Sequence, residues 1–348
     1  MPRLNLSPTP AVMIVAASAL LVVTGCTPTA QTSGPSPAPT VASSPAAPAD
    51  PSSPSSTASA DSSTSAASPS ASSSPSAKPT EPPAATLPRG GREVFPRYRL
   101  VGYAGLTGSP TLGRLGTGDL DQRVREIEER AKPYALNREV LPVLEIITTI
   151  VHNTPGSDGK YRSRLADEQI AVYLKAARKG KAILLLNIQP GQSTFMAEAK
   201  AYERWLKEPD VGLALDPEWA MAKGQRPGRV FGYTTGAVLD DVATYMSEIV
   251  EKHNLPEKVL VYHQLAPRIV RNESALKPHR GVAIVKSVDG IGPPGPKLDT
   301  YNRVNKTTPD FVHAGFKLFY DEDREPGPLM TPKRVMAIKP RPEYVIYE

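Results

Sequence analysis

Two carboxylates in the segment Val211–Trp219 (VGLALDPEW) are the residues of this sequence best suited to acid–base chemistry. The first five residues of the segment are small or apolar, which predicts a strand that is buried on both faces. Side chains alternate along a strand, so we expect Asp216 and Glu218 to point the same way, about 7 Å apart at two rises of roughly 3.3 Å. Like-charge repulsion would raise the pKa of one carboxyl, so Glu218 is the predicted general acid or base and Asp216 its tuning partner. The structural alternative is a pair of loop or helix-capping carboxylates.

Strand-like and helical patterns alternate from Gly91 to Glu348, which predicts the domain that holds this segment. The predicted strands are Tyr98–Tyr103, Val140–Val151, Ala182–Ile188, Val211–Leu215, Lys258–His263, Gly281–Val288, Phe311–Phe319 and Tyr344–Tyr347. The predicted helical segments are Leu120–Tyr134, Ala166–Lys179, Thr194–Lys207, Asp240–Asn254, a short piece near Arg268–Leu276, and Lys297–Asn305, followed by a turn near Pro332–Met336. Eight strands with interleaved helices predict an α/β fold, a (β/α)8 TIM-like barrel, with a partly open barrel as the alternative.

Seven of the eight predicted strands change from apolar to polar at their carboxyl ends, where a barrel of this kind carries its site. Asp289 follows the sixth strand as a second carboxylate, a hydroxyl-binding group or a turn former. His263 and Gln264 follow the fifth strand and could orient a carboxylate, bind a hydroxyl, or simply be satisfied within the core. Lys317 could form an ion pair with Asp289 or Asp216, in a catalytic or a purely structural role.

The second and third strands supply three further polar side chains to the predicted site. Glu145 lies deep in its strand, where an isolated charge is costly, so we expect a partner such as Lys286 or Lys317. Asn187 and Gln189 share a face and suit either sugar hydroxyls or a polar layer inside the barrel.

Three aromatic residues, Tyr103, Trp219 and Tyr320, are predicted platforms on which sugar rings could stack, with rim packing as the alternative. The five histidines show no paired metal-ligand spacing, and no P-loop or dinucleotide-binding glycine motif occurs. We therefore predict no metal and no nucleotide cofactor. Three basic and three acidic residues precede Gly91, so the net charge of +6 resides in the barrel domain. This mild excess without a Lys/Arg cluster predicts no nucleic-acid binding.

The N-terminus predicts export and lipid anchoring. Arg3 and the apolar run from Ala11 to Val23 have the form of a signal peptide. The run ends in Val-Thr-Gly-Cys, which resembles the bacterial lipobox and implies cleavage after Gly25 and lipidation of Cys26. Residues 26–90 consist almost entirely of Ser, Ala, Pro and Thr, which predicts a disordered tether. The expected location is the cell membrane, lipid-anchored on its extracytoplasmic face.

Two resemblances extend this interpretation. GLALDPEW resembles the fourth-strand signature of family 18 chitinases, which implies that Glu218 is the acid and Asp216 its assisting carboxylate; the earlier acidic positions of that signature are Val211 and Ala214 here. The motifs YAGLTGSPTLGRLG, NIQPG, DGIGPPGPK and FKLFYDED resemble actinobacterial cell-surface lipoproteins of unassigned activity, which implies an envelope location and a TIM-barrel domain.

Together these patterns predict an envelope-anchored barrel that acts on a cell-envelope glycan by carboxylate acid–base chemistry. Two alternatives remain at this level. One is a lipoprotein that binds a glycan or another envelope component without catalysis, and the other is a metal-assisted phosphodiesterase.

Overall fold

The computed structural model describes residues 84–324 and 327–348. The predicted signal peptide, the lipidation site at Cys26 and nearly all of the predicted tether lie outside these residues. The folded domain begins before Gly91, because Leu87 is buried among the residues that fill the base of the barrel. Arg89 also belongs to it, since its guanidinium forms an ion pair with Glu128. None of the helices in the described part of the chain is long and apolar enough to cross a membrane.

The domain is a closed barrel of eight parallel strands, which confirms the (β/α)8 prediction. Its strands are β1 (Tyr98–Gly105), β2 (Glu139–Val151), β3 (Ile183–Ile188), β4 (Val211–Leu215), β5 (Lys258–Gln264), β6 (Val282–Val288), β7 (His313–Leu318) and β8 (Tyr344–Tyr347). Each strand pairs with its neighbours in sequence order, and Leu100 of β1 lies beside both Leu141 of β2 and Tyr344 of β8. The ring is therefore closed rather than partly open.

Helices cover the outside of the ring. They are α1 (Leu120–Ala131), α2 (Asp167–Lys179), α3 (Phe195–Ala201), α4 (Glu203–Leu206), α5 (Gly236–Lys252), α6 (Pro294–Val304) and α7 (Pro332–Met336). The Asp119 side chain caps α1 by accepting from the Gln122 backbone N–H, because the first turn of a helix leaves its donors unpaired. Helix α5 begins at Gly236, four residues before the predicted start at Asp240, and the side chain of Thr235 caps it. The predicted helix at Arg268–Leu276 consists of two short 3-10 turns instead.

The apolar core has two layers because side chains alternate along each strand. An inner cluster fills the barrel with residues of β1 to β6 and β8, and it includes Leu100, Val143, Val261 and Ile346. An outer, larger cluster packs the strands against the helices. Gly102 lets β1 and β2 approach closely, since a Cβ there would lie 2.0 Å from the Val143 carbonyl oxygen.

Candidate active site at the carboxyl ends of the strands

Six polar side chains occupy the inward positions at the carboxyl ends of the strands, directly above the inner apolar layer. This polar cluster consists of Glu145, Asn187, Asp216, His263, Asp289 and Lys317, each at most 7% exposed. Buried charges persist only when they are paired and hydrogen-bonded. The predicted convergence of strand ends thus brings the carboxylates, the imidazole and the ammonium into one network.

The imidazole of His263 lies at the centre of this network. Its Nδ1 is 2.8 Å from Asp289 Oδ2, and its Nε2 is 3.0 Å from Glu145 Oε1 and 4.0 Å from Asp216 Oδ1. Burial alone would lower the pKa of His263, but the carboxylates of Asp289 and Glu145 outweigh it and raise the pKa well above its ordinary value. His263 is therefore a cation at neutral pH, placed among three carboxylates.

Two amides hold the carboxylates of Glu145 and Asp216 in position. Asn187 Nδ2 donates to Glu145 Oε1 at 2.9 Å and to Asp216 Oδ1 at 3.0 Å. Gln189 Nε2 donates to Asp216 Oδ2 at 3.2 Å. Because these donors already serve carboxylates, the two amides position the cluster rather than present free N–H groups to a ligand.

The ammonium of Lys317 is the second cation of the cluster. Its Nζ is 3.3 Å from Asp289 Oδ2 and 2.6 Å from Glu348 Oε2. Burial opposes the charge of Asp289, but His263 and Lys317 outweigh it and hold the pKa of this carboxyl below its ordinary value. Ser287 Oγ also donates to Asp289 Oδ1 at 2.8 Å. Asp289 is thus a fixed, fully paired carboxylate.

Glu218 differs from the other carboxyl groups because its Oε2 is buried without a hydrogen-bond partner among the residues that the structure describes. Burial, together with the charges of Asp216 and Asp289, raises the pKa of Glu218 well above its ordinary value. Burial also raises the pKa of Asp216. The residue as a whole is only half-buried. Glu218 is therefore the carboxyl of this site best able to keep a proton near neutral pH and to deliver it to a ligand at the mouth of the barrel.

The strand geometry predicted for Asp216 and Glu218 is wrong. The strand ends at Leu215, and Pro217–Trp219 form one 3-10 turn in which the Trp219 N–H donates to the Asp216 carbonyl. Proline at the start of this turn fixes its backbone and ends the alternation of the strand. The turn, and not two further strand residues, therefore carries Glu218 over the polar cluster.

Of the two predicted partners of Glu145, Lys286 is wrong. Lys286 points away from the barrel interior and forms a buried ion pair with Glu273, 2.8 Å from Nζ to Oε1. Lys317 forms its ion pairs with Asp289 and Glu348, and its charge also helps to lower the pKa of Glu145. Glu145 is instead held by the His263 imidazole and by the hydroxyl of Tyr344, which donates to it.

Two of the three predicted stacking platforms are occupied by protein contacts. Tyr103 is fully buried and donates to Glu126 at 2.9 Å, because it faces the helices rather than the mouth of the barrel. Tyr320 stacks on Tyr347 with ring centroids 5.4 Å apart. Trp219 is half-buried beside Glu218 and remains a candidate.

Gln264, predicted as a ligand-binding residue, lies outside the polar cluster. Its Nε2 donates to the carbonyls of Ala266 and Pro267, at 3.1 and 3.4 Å, and holds the turn after β5. Side chains alternate along β5, so His263 faces the interior of the barrel and the next residue, Gln264, faces the opposite side.

Three residues of the site were not predicted, namely Ser287, Tyr344 and Glu348. All three lie in register with inward neighbours: Ser287 follows Val285 by two residues, and Tyr344 and Glu348 lie two residues either side of Ile346. The alternation in β6 and β8 was the available signal. Burial raises the pKa of Glu348 although Lys317 opposes it.

No group of three or more His, Cys, Asp and Glu side chains suited to a metal ion occurs within residues 84–324 and 327–348. Protonated side-chain nitrogens already lie beside the carboxylates of the cluster, in the positions that a metal cation would need to occupy.

Fold and site together define a (β/α)8 barrel with a buried carboxylate, histidine and lysine network at the carboxyl ends of its strands. No protein-family model and no curated protein matches the chain. Among solved structures, a GH18 chitinase from Pseudoalteromonas aurantia is similar over 72% of this chain and 93% of its own, with 10% sequence identity and a TM-score of 0.33. That likeness carries no conclusion about activity.

Proposed function

We propose that this protein is an envelope lipoprotein whose barrel hydrolyses a glycosidic bond in a cell-envelope glycan. The observation that supports it is the state of Glu218, a carboxyl with a raised pKa, one unpartnered oxygen and partial exposure at the mouth of the barrel. The resemblance of GLALDPEW to the family 18 chitinase signature points to the same residue. In this proposal Glu218 is the general acid.

The chemistry would begin with proton transfer from Glu218 to the glycosidic oxygen, which breaks the bond to the anomeric carbon. The positive charge that develops on the sugar ring would be stabilised by the Asp216 carboxylate, which Asn187 and Gln189 hold in position. Glu218, now ionised, would take a proton from water as that water attacks the anomeric carbon. His263 and Lys317 keep Asp289 ionised throughout.

A second candidate function is glycan binding without catalysis. It is favoured by the burial of the polar cluster, in which every charged side chain already has a charged partner within 4.0 Å. Such a network can serve as a polar plug that closes the barrel. Ligand would then contact the residues at the rim, Trp219 and Glu218 among them.

The variant Glu218→Gln separates the two functions. Peptidoglycan, arabinogalactan and chitin-type oligosaccharides are incubated with the wild type, with Glu218→Gln and with Glu322→Gln, which changes an exposed glutamate at the same end of the barrel. Hydrolysis by the wild type and by Glu322→Gln, with at least about a hundredfold loss in Glu218→Gln, is the expected result. Binding without cleavage by all three proteins would reject the enzyme and support the binding function.

The envelope location is tested separately, because Cys26 lies outside the described residues. The wild type is expected in the membrane fraction of the host and to incorporate labelled palmitate, and Cys26→Ser is expected to lose both properties. A Cys26→Ser protein that fractionates and labels like the wild type would contradict the lipid anchor.

A further inference from the structure

A cavity of about 290 Å³ lies at the opposite end of the barrel from the polar cluster. Its walls come from the start of β1 and from the segments that lead into β2 and β8. We name it the basic pocket; its lining residues are Arg99, Asn137, Arg138, Lys339, Arg341 and Glu343. The volume is close to the lower end of the range of small-molecule sites.

The basic pocket carries an excess of positive charge. Glu343 is its one carboxylate, and that carboxylate is already shared between the guanidinium of Arg138 and the imidazole of His313. The other three cations, Arg99, Lys339 and Arg341, form no ion pair with any residue that the structure describes. The charge balance of the pocket is therefore incomplete.

Arg99 shows that this excess reaches into the protein. Its side chain is 2% exposed, one of its terminal nitrogens donates to the Pro342 carbonyl, and its Nε is buried without a hydrogen-bond partner in the described part of the chain. Burial, and then the neighbouring charges of Arg138 and Arg341, lowers the pKa of Arg99 to about 10. The carboxylate of Glu343 opposes this fall in pKa but forms no direct ion pair with Arg99. A buried guanidinium without a direct ion pair is costly, and an anion in the cavity would reduce that cost.

We propose that the basic pocket binds the phosphate group of a small phosphate monoester. Three guanidinium groups around one cavity supply planar pairs of N–H donors, which match the oxygens of a phosphate better than Lys-rich sites do. Three uncompensated cations favour a dianion over a monoanion such as a single carboxylate. The cavity also has room for part of the organic group beside the phosphate.

This inference does not rest on the proposed function. The basic pocket adjoins the amino ends of the strands, whereas the polar cluster lies at their carboxyl ends, so ligand at one site does not contact the other. If the barrel proves to have no hydrolytic activity, the charge balance of the basic pocket is unchanged.

Isothermal titration with inorganic phosphate, glycerol 1-phosphate and acetate tests the proposal. The variants are Lys339→Ala and Arg341→Ala, whose exposed side chains can be removed without disturbing the core; the control is Arg334→Ala, an exposed arginine of α7 outside the pocket lining. We expect phosphate or its ester to bind the wild type and the control with similar affinity. Each pocket variant is expected to bind about tenfold more weakly, or worse, because it loses a charged donor.

The ligand series identifies the source of the phosphate. Equal affinity for inorganic phosphate and glycerol 1-phosphate would assign the pocket to the phosphate group alone, and tighter binding of the ester would assign it to a phosphorylated organic ligand. Acetate binding as tight as phosphate, no phosphate binding up to about 10 mM, or equal binding by all the variants would overturn the proposal.

Discussion

Glu218 is proposed to be needed for activity, yet its buried, unpartnered carboxyl oxygen predicts that the side chain destabilises the folded protein at high pH. In the unfolded chain this group ionises near its ordinary pKa of 4.5, whereas in the folded protein its pKa is well above that value. As the pH rises through this interval, the unfolded chain releases a proton that the folded protein keeps. Glu218 therefore contributes a loss of folding stability as the pH rises.

Glu218→Gln removes the ionisation but keeps the shape of the side chain, so it should remove this loss. A buried polar group without a partner costs about 1–3 kcal/mol, and more when it is charged. We therefore expect Glu218→Gln to be about 1–3 kcal/mol more stable than the wild type at pH 8 and equal to it near pH 4. In a domain of this size, about 1 kcal/mol shifts the melting temperature by about 2–4 °C.

Equilibrium unfolding in urea at both pH values measures this difference. Tryptophan fluorescence is a suitable probe, since the chain has two tryptophans and one of them, Trp219, is next to the substituted residue. Glu322→Gln is the matched control, and its exposed position predicts a change within about 0.5 kcal/mol at either pH. A Glu218→Gln protein that is less stable than the wild type at pH 8, or equally stabilised at both pH values, would refute the assignment of a raised pKa to Glu218.

Three further predictions concern the network and the barrel wall, all measured by urea unfolding. His263→Gln should cost about 3–5 kcal/mol, because it leaves buried carboxylates without their shared cation; a cost under about 1 kcal/mol would contradict the charged imidazole. Lys286→Met should cost a similar amount, because it leaves the buried carboxylate of Glu273 without its cation. The control Lys179→Met breaks an exposed ion pair and should cost under about 1 kcal/mol. Equal costs for the two variants would be inconsistent with burial of the Lys286 pair. Gly102→Ala should cost about 1–3 kcal/mol or more, since its Cβ would lie 2.0 Å from a backbone oxygen of β2, whereas Gly295→Ala has open space and should be neutral or stabilising. A neutral Gly102→Ala would show that β1 and β2 can separate at little cost.

The architecture could be predicted from the sequence because each strand is a short apolar run that ends in polar residues. Those ends gather at one mouth of a parallel barrel whatever the details of its packing. Glu145, Asn187, Asp216, His263 and Asp289 were all identified in this way, and the structure brings them together.

The direction of individual side chains could not be predicted so well. Barrel strands are apolar on both faces, so the sequence of β1 does not indicate whether Gly102 or Tyr103 faces inward. Neighbouring residues of a strand face opposite sides of the barrel wall, so an error of one residue exchanges the site for the helix layer. Tyr103 and Gln264 were predicted for the site but face the other way. The turn at Pro217 likewise replaced the expected strand geometry at Glu218.

Ion-pair partners were the least predictable feature of the site. Glu145 and His263 belong to strands that do not pair with each other, and their contact depends on the stagger of the whole ring. Of the two expected partners, Lys286 lies in the outer layer and pairs with Glu273, and Lys317 forms its direct ion pairs with Asp289 and Glu348. Charge alone therefore did not identify the contact.

The closure of the ring by β8 has a consequence for how the protein folds. Residues 344–347 join β1 to β7, so a growing chain has two open strand edges until this last segment has been synthesised. The same segment delivers the Tyr344 hydroxyl to Glu145 and is followed by the carboxylate that holds Lys317. A nascent chain cut short of Tyr344 would expose both edges to other chains and leave the mouth of the barrel with an unbalanced charge. Aggregation during synthesis, rather than a stable partial barrel, is the fate that this topology implies for such a fragment.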